Sequence, residues 1–205
     1  MELLSSIRRN SIGLGIFAVF TAGLIALTQL YTKKTIENNI IAAQVAAFNE
    51  ILPAQLYDND LTQDSALLAP DDLLGSKEPV KIHIARKQGD VSGIIFETIA
   101  PSGYNGNLYL LVAIDRNGTV TGSRVISHKE TPGLGDKVEL KKSNWILSFA
   151  NTSLSNPLEK DWGVKKDGGQ FDQFTGATIT PRAVVRAVKN TLIYFEQNKA
   201  SLLAQ

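Results

Sequence analysis

Residues 108–127 read LYLLVAIDRNGTVTGSRVIS, and this stretch decides the fold. Its two ends, residues 108–114 and 119–127, are rich in the aliphatic and β-branched side chains that favour strands. Between them lies the sequence Asp-Arg-Asn-Gly, and an Asn-Gly pair readily supplies the positive φ angles of a tight hairpin turn. The stretch therefore predicts two antiparallel strands joined by a turn at Asn117-Gly118.

Two more strands are predicted upstream of this hairpin. Residues 80–86 alternate apolar and polar side chains with the period of a strand that buries one face. The pair Gly89-Asp90 can turn the chain, and residues 94–99 carry it back. Four successive strands predict a mostly antiparallel sheet. Residues 54–79 lack a clear period and are expected to form a long surface connection.

Along the chain, helices are expected both before and after the strands. Residues 32–52 have the spacing of an amphipathic helix that a proline ends, and residues 136–150 have a looser helical spacing. The last helix is predicted to have Thr180 as its N-cap and Pro181 as its first helical residue, and to end near Gln197. Because strands and helices occupy separate parts of the chain, the predicted fold class is α+β.

The N-terminal part of the chain is expected to cross a membrane. Residues 11–31 carry no charge, lie between Arg8-Arg9 and Lys33-Lys34, and match the length of about 20 residues that spans a bilayer. A secretory signal peptide is the alternative, but the apolar stretch is long for one and no small-x-small cleavage site precedes the lysines. The positive-inside count is tied, and only the terminal amine favours a cytoplasmic N-terminus.

The resulting domain organisation starts at the membrane and ends in one folded domain. Its segments are a cytoplasmic N-terminus at 1–10, a transmembrane helix at 11–31, a helix with its connecting segment at 32–79, and a ligand-binding domain at 80–205.

Composition excludes several functions. The chain has no cysteine, which excludes disulfides, thiolate metal sites and cysteine nucleophiles. With 21 basic and 20 acidic residues, it lacks the charge that nucleic-acid binding requires. His83 is expected to be a surface or hydrogen-bonded histidine, and the role of His128, just before a glycine-rich loop, stays open. No metal site and no catalytic residue are predicted, since no hydrolase, Walker or Rossmann motif occurs.

Two loops are candidates for a ligand site. Residues 130–136, ETPGLGD, contain a proline and two glycines, which either let backbone amides approach a ligand or simply shape a turn. Residues 172–181, DQFTGATITP, bring three threonines to a helix N-terminus, where an anion such as phosphate is stabilised. The alternative is that Thr180 only caps this helix, and the residues alone leave both readings open.

The second loop resembles a known modification motif. D-x-x-T-G-A-T at residues 172–178 resembles the target of flavin transferases, D-x-x-(S/T)-G-A-(T/S), whose final hydroxyl receives flavin mononucleotide (FMN) through a phosphoester. Together with ETPGLG at 130–135, DWGVKKDGG at 161–169 and one N-terminal membrane helix, the chain resembles the G subunits of Rnf-type ion-translocating electron transport complexes. The C subunit of the sodium-pumping NADH:quinone reductase is a related protein that shares the flavin-binding domain.

The resemblance implies a set of site residues. It makes residues 80–205 an FMN-binding domain and Thr178 the residue that carries FMN covalently. It makes Asp172, Thr175, Gly176, Ala177 and Thr178 the sequence that the flavin transferase recognises. The other residues expected to contact the flavin are Thr175, Gly176, Ala177, Glu130, Thr131, Gly133, Leu134, Gly135 and Lys166. Lys166, with Lys165, would neutralise the phosphate or form a solvated pair.

The function that this resemblance implies is electron carriage within a membrane complex. The complex would couple electron transfer between ferredoxin and NAD to sodium or proton translocation, with its other subunits as partners of this chain. The chain would be single-pass in the cell inner membrane, with its C-terminal domain on the periplasmic side. Residues 11–30 contain no ionisable side chain, so the ion path is expected in the partner subunits. The alternative function is a membrane-tethered binding or assembly module without a flavin.

Overall fold

The computed structural model describes the backbone of residues 2–205 and the side chains of residues 6–36 and 38–205. The chain divides into two compact units, Met1–Gln44 and Val45–Gln205. Helix α1, Glu2–Ile51, runs without a break where the sequence predicted two successive helices. It is long and apolar enough to be a candidate membrane span.

The C-terminal part of α1 differs from the predicted amphipathic stripe. Ile36 and Ile40 are exposed, whereas Phe48 and Ile51 are fully buried. The residues that are buried belong to the second unit, which starts at Val45. The apolar spacing of this segment therefore predicted the helix correctly, but only its last turns contribute to a core.

The second unit is built on an antiparallel sheet, as predicted, but the sheet has five strands instead of four, in the order β1-β2-β3-β4-β5. The strands are β1 Ser65–Leu68, β2 Val80–Lys87, β3 Asp90–Gly103, β4 Gly106–Asp115 and β5 Val120–Ser127. Strand β1 lies in the segment that was predicted to be an irregular connection. It has only four residues and pairs at the sheet edge with β2, which is too short a pattern to be detected from spacing.

The tight hairpin turn occurs at a different place from the predicted one. In the β4–β5 loop only Gly118 has a positive φ, of 93°, because the Asp115 carboxylate accepts hydrogen bonds from the backbone of Asn117 and Thr119, each at 2.9 Å. These bonds fix a longer loop than the Asn-Gly pair indicated. The two-residue turn with two positive φ angles is Gln88-Gly89, between β2 and β3.

Two hydrophobic cores cover opposite faces of the sheet. Helix α2, Ile179–Leu203, lies on one face, where the ring of Phe195 meets that of Phe96 edge-on at 6.4 Å. The end of α1 lies on the other face, where Phe48 and Ile51 pack in the same core as Ile95. Neighbouring residues of β3 therefore serve different cores, as the alternation of side chains in a strand requires.

The helix predicted at residues 136–150 is absent. This segment forms two short 3-10 helices, Gly135–Val138 and Asn144–Phe149, with turns between them. Trp145 and Phe149 face each other edge-on at 5.3 Å within a cluster of aromatic side chains. Tertiary packing of these large rings, which local spacing does not report, determines the backbone here.

Candidate functional site

Both predicted loops line one cavity in the second unit. The cavity has a volume of about 410 Å³, which lies within the usual range of ligand pockets. Three segments form it: the tip of the β3–β4 hairpin, the loop after β5, and the turn that leads into α2. Its lining residues are Tyr104, Glu130, Thr131, Leu134, Gly135, Gly176, Ala177, Thr178, Ile179 and Thr180. We call it the flavin cavity below.

Glu130 holds the three segments together. Its carboxylate is only 5% exposed, and it accepts hydrogen bonds from the backbone N–H groups of Asn105 at 2.9 Å and Tyr104 at 3.3 Å. The hydroxyl of Thr180 donates a further bond to the same carboxylate. A buried carboxylate that accepts three hydrogen bonds fixes the positions of its donors. We call Glu130, its three donors and the bonds between them the Glu130 network.

His128 supports this network from outside the cavity. Its Nδ1 accepts the backbone N–H of Glu130 at 3.0 Å, so Nε2 carries the proton and donates it to Glu139 at 2.8 Å. His128, whose role the sequence left open, therefore positions the backbone of Glu130. His83 is buried, with both ring nitrogens in hydrogen bonds, as expected. The side chains that the structure describes include no cluster of acidic and histidine residues that suits a metal ion.

The three threonines of the second loop occupy different environments. Thr175 is exposed and lies outside the lining of the cavity. Thr180 is 1% exposed, and its hydroxyl belongs to the Glu130 network. Thr178 is half-buried and lines the cavity, and its hydroxyl has no hydrogen-bond partner among the side chains and backbone groups that the structure describes. Of the three hydroxyls, only that of Thr178 therefore faces the cavity without a protein partner.

The start of α2 differs from the prediction. The helix begins at Ile179, its N-cap is Thr178, and Pro181 is its third residue instead of its first. Thr180 does not cap the helix, because its hydroxyl is bonded to Glu130. Thr178 makes no side-chain cap bond either. The first N–H groups of the helix therefore lie at the cavity, where the positive end of the helix dipole favours an anion.

Two glycines allow the loops to approach each other. Gly176 has a φ of 83°, and a Cβ built on it would lie 3.2 Å from the side chain of Leu134. A Cβ on Gly135 would lie within 2.9 Å of atoms in Glu130 and Thr180. The first glycine leaves open the space between the two loops, and the second lets the loop pack on the Glu130 network.

Three residues expected to contact the flavin do not line the cavity: Thr175, Gly133 and Lys166. Asp172, predicted only as part of the sequence that the flavin transferase recognises, does not line it either. Lys166 is exposed, and its backbone N–H donates to Gln173 at 3.3 Å. The Asp172 carboxylate pairs with Lys165 at 2.6 Å on the surface. Nearby, Arg182 binds Asp167 through two hydrogen bonds of 2.6 Å, which lower the pKa of Asp167 and raise that of Arg182.

Three further lining residues, Tyr104, Ile179 and Thr180, were not predicted as part of a cavity. Tyr104 is 66% exposed at the tip of the β3–β4 hairpin, in the sequence Gly-Tyr-Asn-Gly. Such a tip resembles any other turn, and only the bond between its backbone and Glu130 brings it to the cavity. The sequence placed Ile179 and Thr180 just before a helix and did not identify them as residues that line a cavity.

Comparison with known proteins agrees with this geometry. A family model for the FMN-binding domain matches residues 103–193, and one for the RnfG N-terminal region matches residues 1–51. The G subunit of the ion-translocating oxidoreductase complex of Shewanella loihica is 47% identical over 198 residues, 97% of this chain and 93% of that protein. The protein of the same name from Vibrio cholerae is 46% identical over 200 residues, 98% of this chain and 95% of that protein.

A solved structure shares the fold. The crystal structure of NqrC from Shewanella oneidensis matches with a TM-score of 0.50 at 23% identity, over 72% of this chain and 76% of that one. The predicted α+β fold, with an apolar helix before an antiparallel sheet and its helices, is thereby confirmed.

The family match thus defines an FMN-binding domain in this chain, and both loops that line the cavity lie within the matched residues. The length and identity of the matches define the family as well. The chain belongs to the family of the G subunits of ion-translocating oxidoreductase complexes.

Proposed function

We propose that this chain is the membrane-anchored electron carrier of its complex, and that it holds one FMN covalently through a phosphoester to the hydroxyl of Thr178. The observation that carries this proposal is the state of that hydroxyl, which lines the flavin cavity and has no hydrogen-bond partner among the described residues. Neither Thr175, outside the cavity, nor Thr180, bonded to Glu130, offers such a group.

The electrostatics of the site favour a phosphate on Thr178. This residue is the N-cap of α2, so a phosphodiester on its oxygen would lie at the positive end of the helix. Such a contact is worth about 0.3–1 kcal/mol when exposed and up to about 2 kcal/mol when partly buried. The unpaired N–H groups of the first turn supply hydrogen-bond donors for the phosphate oxygens.

The remaining walls suit the rest of the cofactor. Leu134, Tyr104 and Ile179 offer apolar surface for a planar ring system, and each is more than a third exposed. Gly176 and Ala177 leave room for the chain that links ring and phosphate, since a Cβ at Gly176 would press on Leu134. The residues present therefore fit FMN.

Bound FMN supplies the electron transfer, and the protein supplies position and environment. The Glu130 network holds the hairpin tip, the loop and the helix start at fixed distances around the cavity. Glu130 itself, which is only 5% exposed, also lines the cavity. The covalent bond to Thr178 prevents loss of the cofactor to solvent.

Exposure of the turn supports modification by a flavin transferase. Asp172, Thr175 and Gly176 are all exposed, so the recognition sequence is accessible on the folded domain. The Lys165–Asp172 ion pair orients the acidic residue of the motif at the surface. We propose that the transferase acts on this turn outside the cytoplasmic membrane.

The proposed location follows from the anchor and the family. Helix α1 would cross the cell inner membrane once, with the FMN-binding domain on the periplasmic side. The complex would couple ferredoxin and NAD chemistry to sodium or proton movement, and residues 11–30 offer no ionisable group for an ion path. The translocation path would belong to the partner subunits.

Co-production of the full chain with an active flavin transferase tests the proposal. The intact protein is expected to be yellow, to fluoresce under ultraviolet light after denaturing electrophoresis, and to exceed the mass of the chain by one FMN moiety. Thr178→Val should abolish covalent flavin without loss of the fold, because the two side chains have nearly the same shape, whereas Thr178→Ser should keep it. A colourless wild-type protein would favour the assembly module without a flavin, and a flavinylated Thr178→Val protein would place the bond elsewhere.

A further inference from the structure

A second cavity, of about 380 Å³, lies along α2 and shares no lining residue with the flavin cavity. Its apolar lining side chains are Trp162, Val164, Val185 and Ile193. Its cationic lining side chains are Lys160, Arg182, Arg186 and Lys189. One carboxylate, that of Asp167, is among its lining residues. We call this cavity the cationic groove.

Two ion pairs join the walls of the cationic groove. Arg182 of α2 binds Asp167 through two contacts of 2.6 Å, and Lys189, two turns further along the helix, lies 3.4 Å from Glu159. Both pairs connect α2 to the segment 159–167. The carboxylates of these pairs already neutralise two of the four cations, so the groove keeps an excess of positive charge.

Arg186 lies between the two pairs on the same side of α2. It is four residues after Arg182 and three before Lys189, positions that share one helix face. Its side chain is exposed, and none of the carboxylates that the structure describes lies within ion-pair distance of it. Asp72 and Arg186 both line a further cavity, of about 210 Å³, but they form no ion pair. The guanidinium thus has its fork of donors available.

This positive charge is a local feature. The whole chain carries 21 basic and 20 acidic residues, so the groove is not part of a generally basic surface. A clustered charge of one sign beside apolar side chains is the arrangement that selects a partner of opposite charge. A guanidinium binds carboxylates in pairs of parallel hydrogen bonds, which adds geometric selection.

We propose that the cationic groove is the docking site for an acidic segment of a partner subunit, with one carboxylate on Arg186 and an apolar side chain on Ile193. The chain belongs to a family whose members are named as subunits of a complex, so other subunits could supply the acidic segment. The proposal does not depend on the flavin, because the groove and the flavin cavity have no residue in common.

The native complex, purified in detergent with the full-length chain, provides the test. A water-soluble carbodiimide joins an amine to a carboxylate only when the two are in contact, so mass spectrometry of the cross-linked peptides identifies direct ion pairs. Links are expected from Lys160 or Lys189 to Asp or Glu residues of a partner subunit, besides the link within the chain to Glu159.

The variant Arg186→Glu supplies the second measurement. It should weaken retention of the chain in the complex about tenfold, and release should begin at lower NaCl than in the wild type. Arg186→Lys keeps the positive charge but loses the guanidinium and its paired hydrogen bonds. It should be released at an NaCl concentration between those of Arg186→Glu and the wild type. Lys87→Glu is the matched control, since Lys87 is exposed at the end of β2 and does not line the groove.

Three results would overturn the proposal. One is that the groove lysines link only to Glu159, and a second is that Arg186→Glu and Lys87→Glu release at the same salt concentration. The third is that the lysines link to a second copy of this chain, which would make the groove a self-association site. Both measurements remain meaningful in a Thr178→Val protein without flavin, so failure of the docking proposal and failure of the flavin proposal are distinguishable.

Discussion

The turn at residues 175–178 and the Glu130 network meet at the same cavity but differ in almost every physical respect. The residues of the turn are exposed or half-buried, and its last hydroxyl has no partner among the described residues. In the network, Glu130 and Thr180 are buried, and all three donors share one carboxylate. Thr178 and Thr180 are only two residues apart, but Thr178 belongs to the turn and Thr180 belongs to the Glu130 network. The group available for modification is therefore the one that the fold does not use.

Removal of the network carboxylate should have the largest effect on stability. Glu130→Ala leaves the Thr180 hydroxyl and two backbone N–H groups without their acceptor, and it should lower the free energy of unfolding by about 2–3 kcal/mol. Thr180→Val removes one donor of three and should cost about 1 kcal/mol. Thermal unfolding of the full chain in detergent, followed by tryptophan fluorescence, measures both. Equal losses in the two variants would show that Glu130 does not join the segments.

A change in the turn should affect the flavin more than the fold. Gly176→Ala introduces strain at a φ of 83° of about 1–2 kcal/mol and also presses on Leu134, so covalent flavin should fall. Gly133→Ala is the control, because Gly133 has a φ of 79° but open space around it. It should suffer the same strain and keep its flavin. The flavin-to-protein absorbance ratio of the two variants gives the answer, and equal ratios would contradict the assigned role of Gly176.

The smallest effect is expected at the exposed Arg182–Asp167 pair, which lies outside both regions. The hydrogen bonds from Arg182 lower the pKa of Asp167 below its ordinary value of 3.8. The pair therefore stabilises the folded state above that pH, and this contribution disappears as the pH falls through the lowered value. The difference in Tm between wild type and Arg182→Gln should be constant above pH 3.8 and shrink below it. Because the pair is exposed, the difference should also be small. A difference that grows in acid would reverse the assigned direction.

The sheet was predictable because its information is local. Alternation in residues 80–86 and the apolar runs of residues 108–127 identify strands without reference to any other part of the chain. The four-residue strand β1 has too few residues to show a period, and the aromatic cluster around Trp145 and Phe149 replaces a helix by 3-10 turns. In both places, contacts with distant segments decide the structure.

The candidate site likewise has one part that the sequence predicts and another part that depends on distant contacts. The motif at residues 172–178 is contiguous, so its residues could be named from the sequence. The cap at Thr180 was predicted wrongly because its hydroxyl bonds to Glu130, 50 residues away in the sequence. The position of Tyr104 at the cavity depends on the same carboxylate. Thr180 does not cap the helix because the buried carboxylate of Glu130 binds its hydroxyl more strongly than the helix N–H groups would.

Peptide mapping of the native complex tests the central claim most directly. Digestion and mass spectrometry of the functional assembly should recover the peptide that contains Thr178 with one FMN phosphoryl group on that residue, and the peptide that contains Thr131 unmodified. Recovery of the Thr178 peptide in unmodified form from active complex would contradict the account.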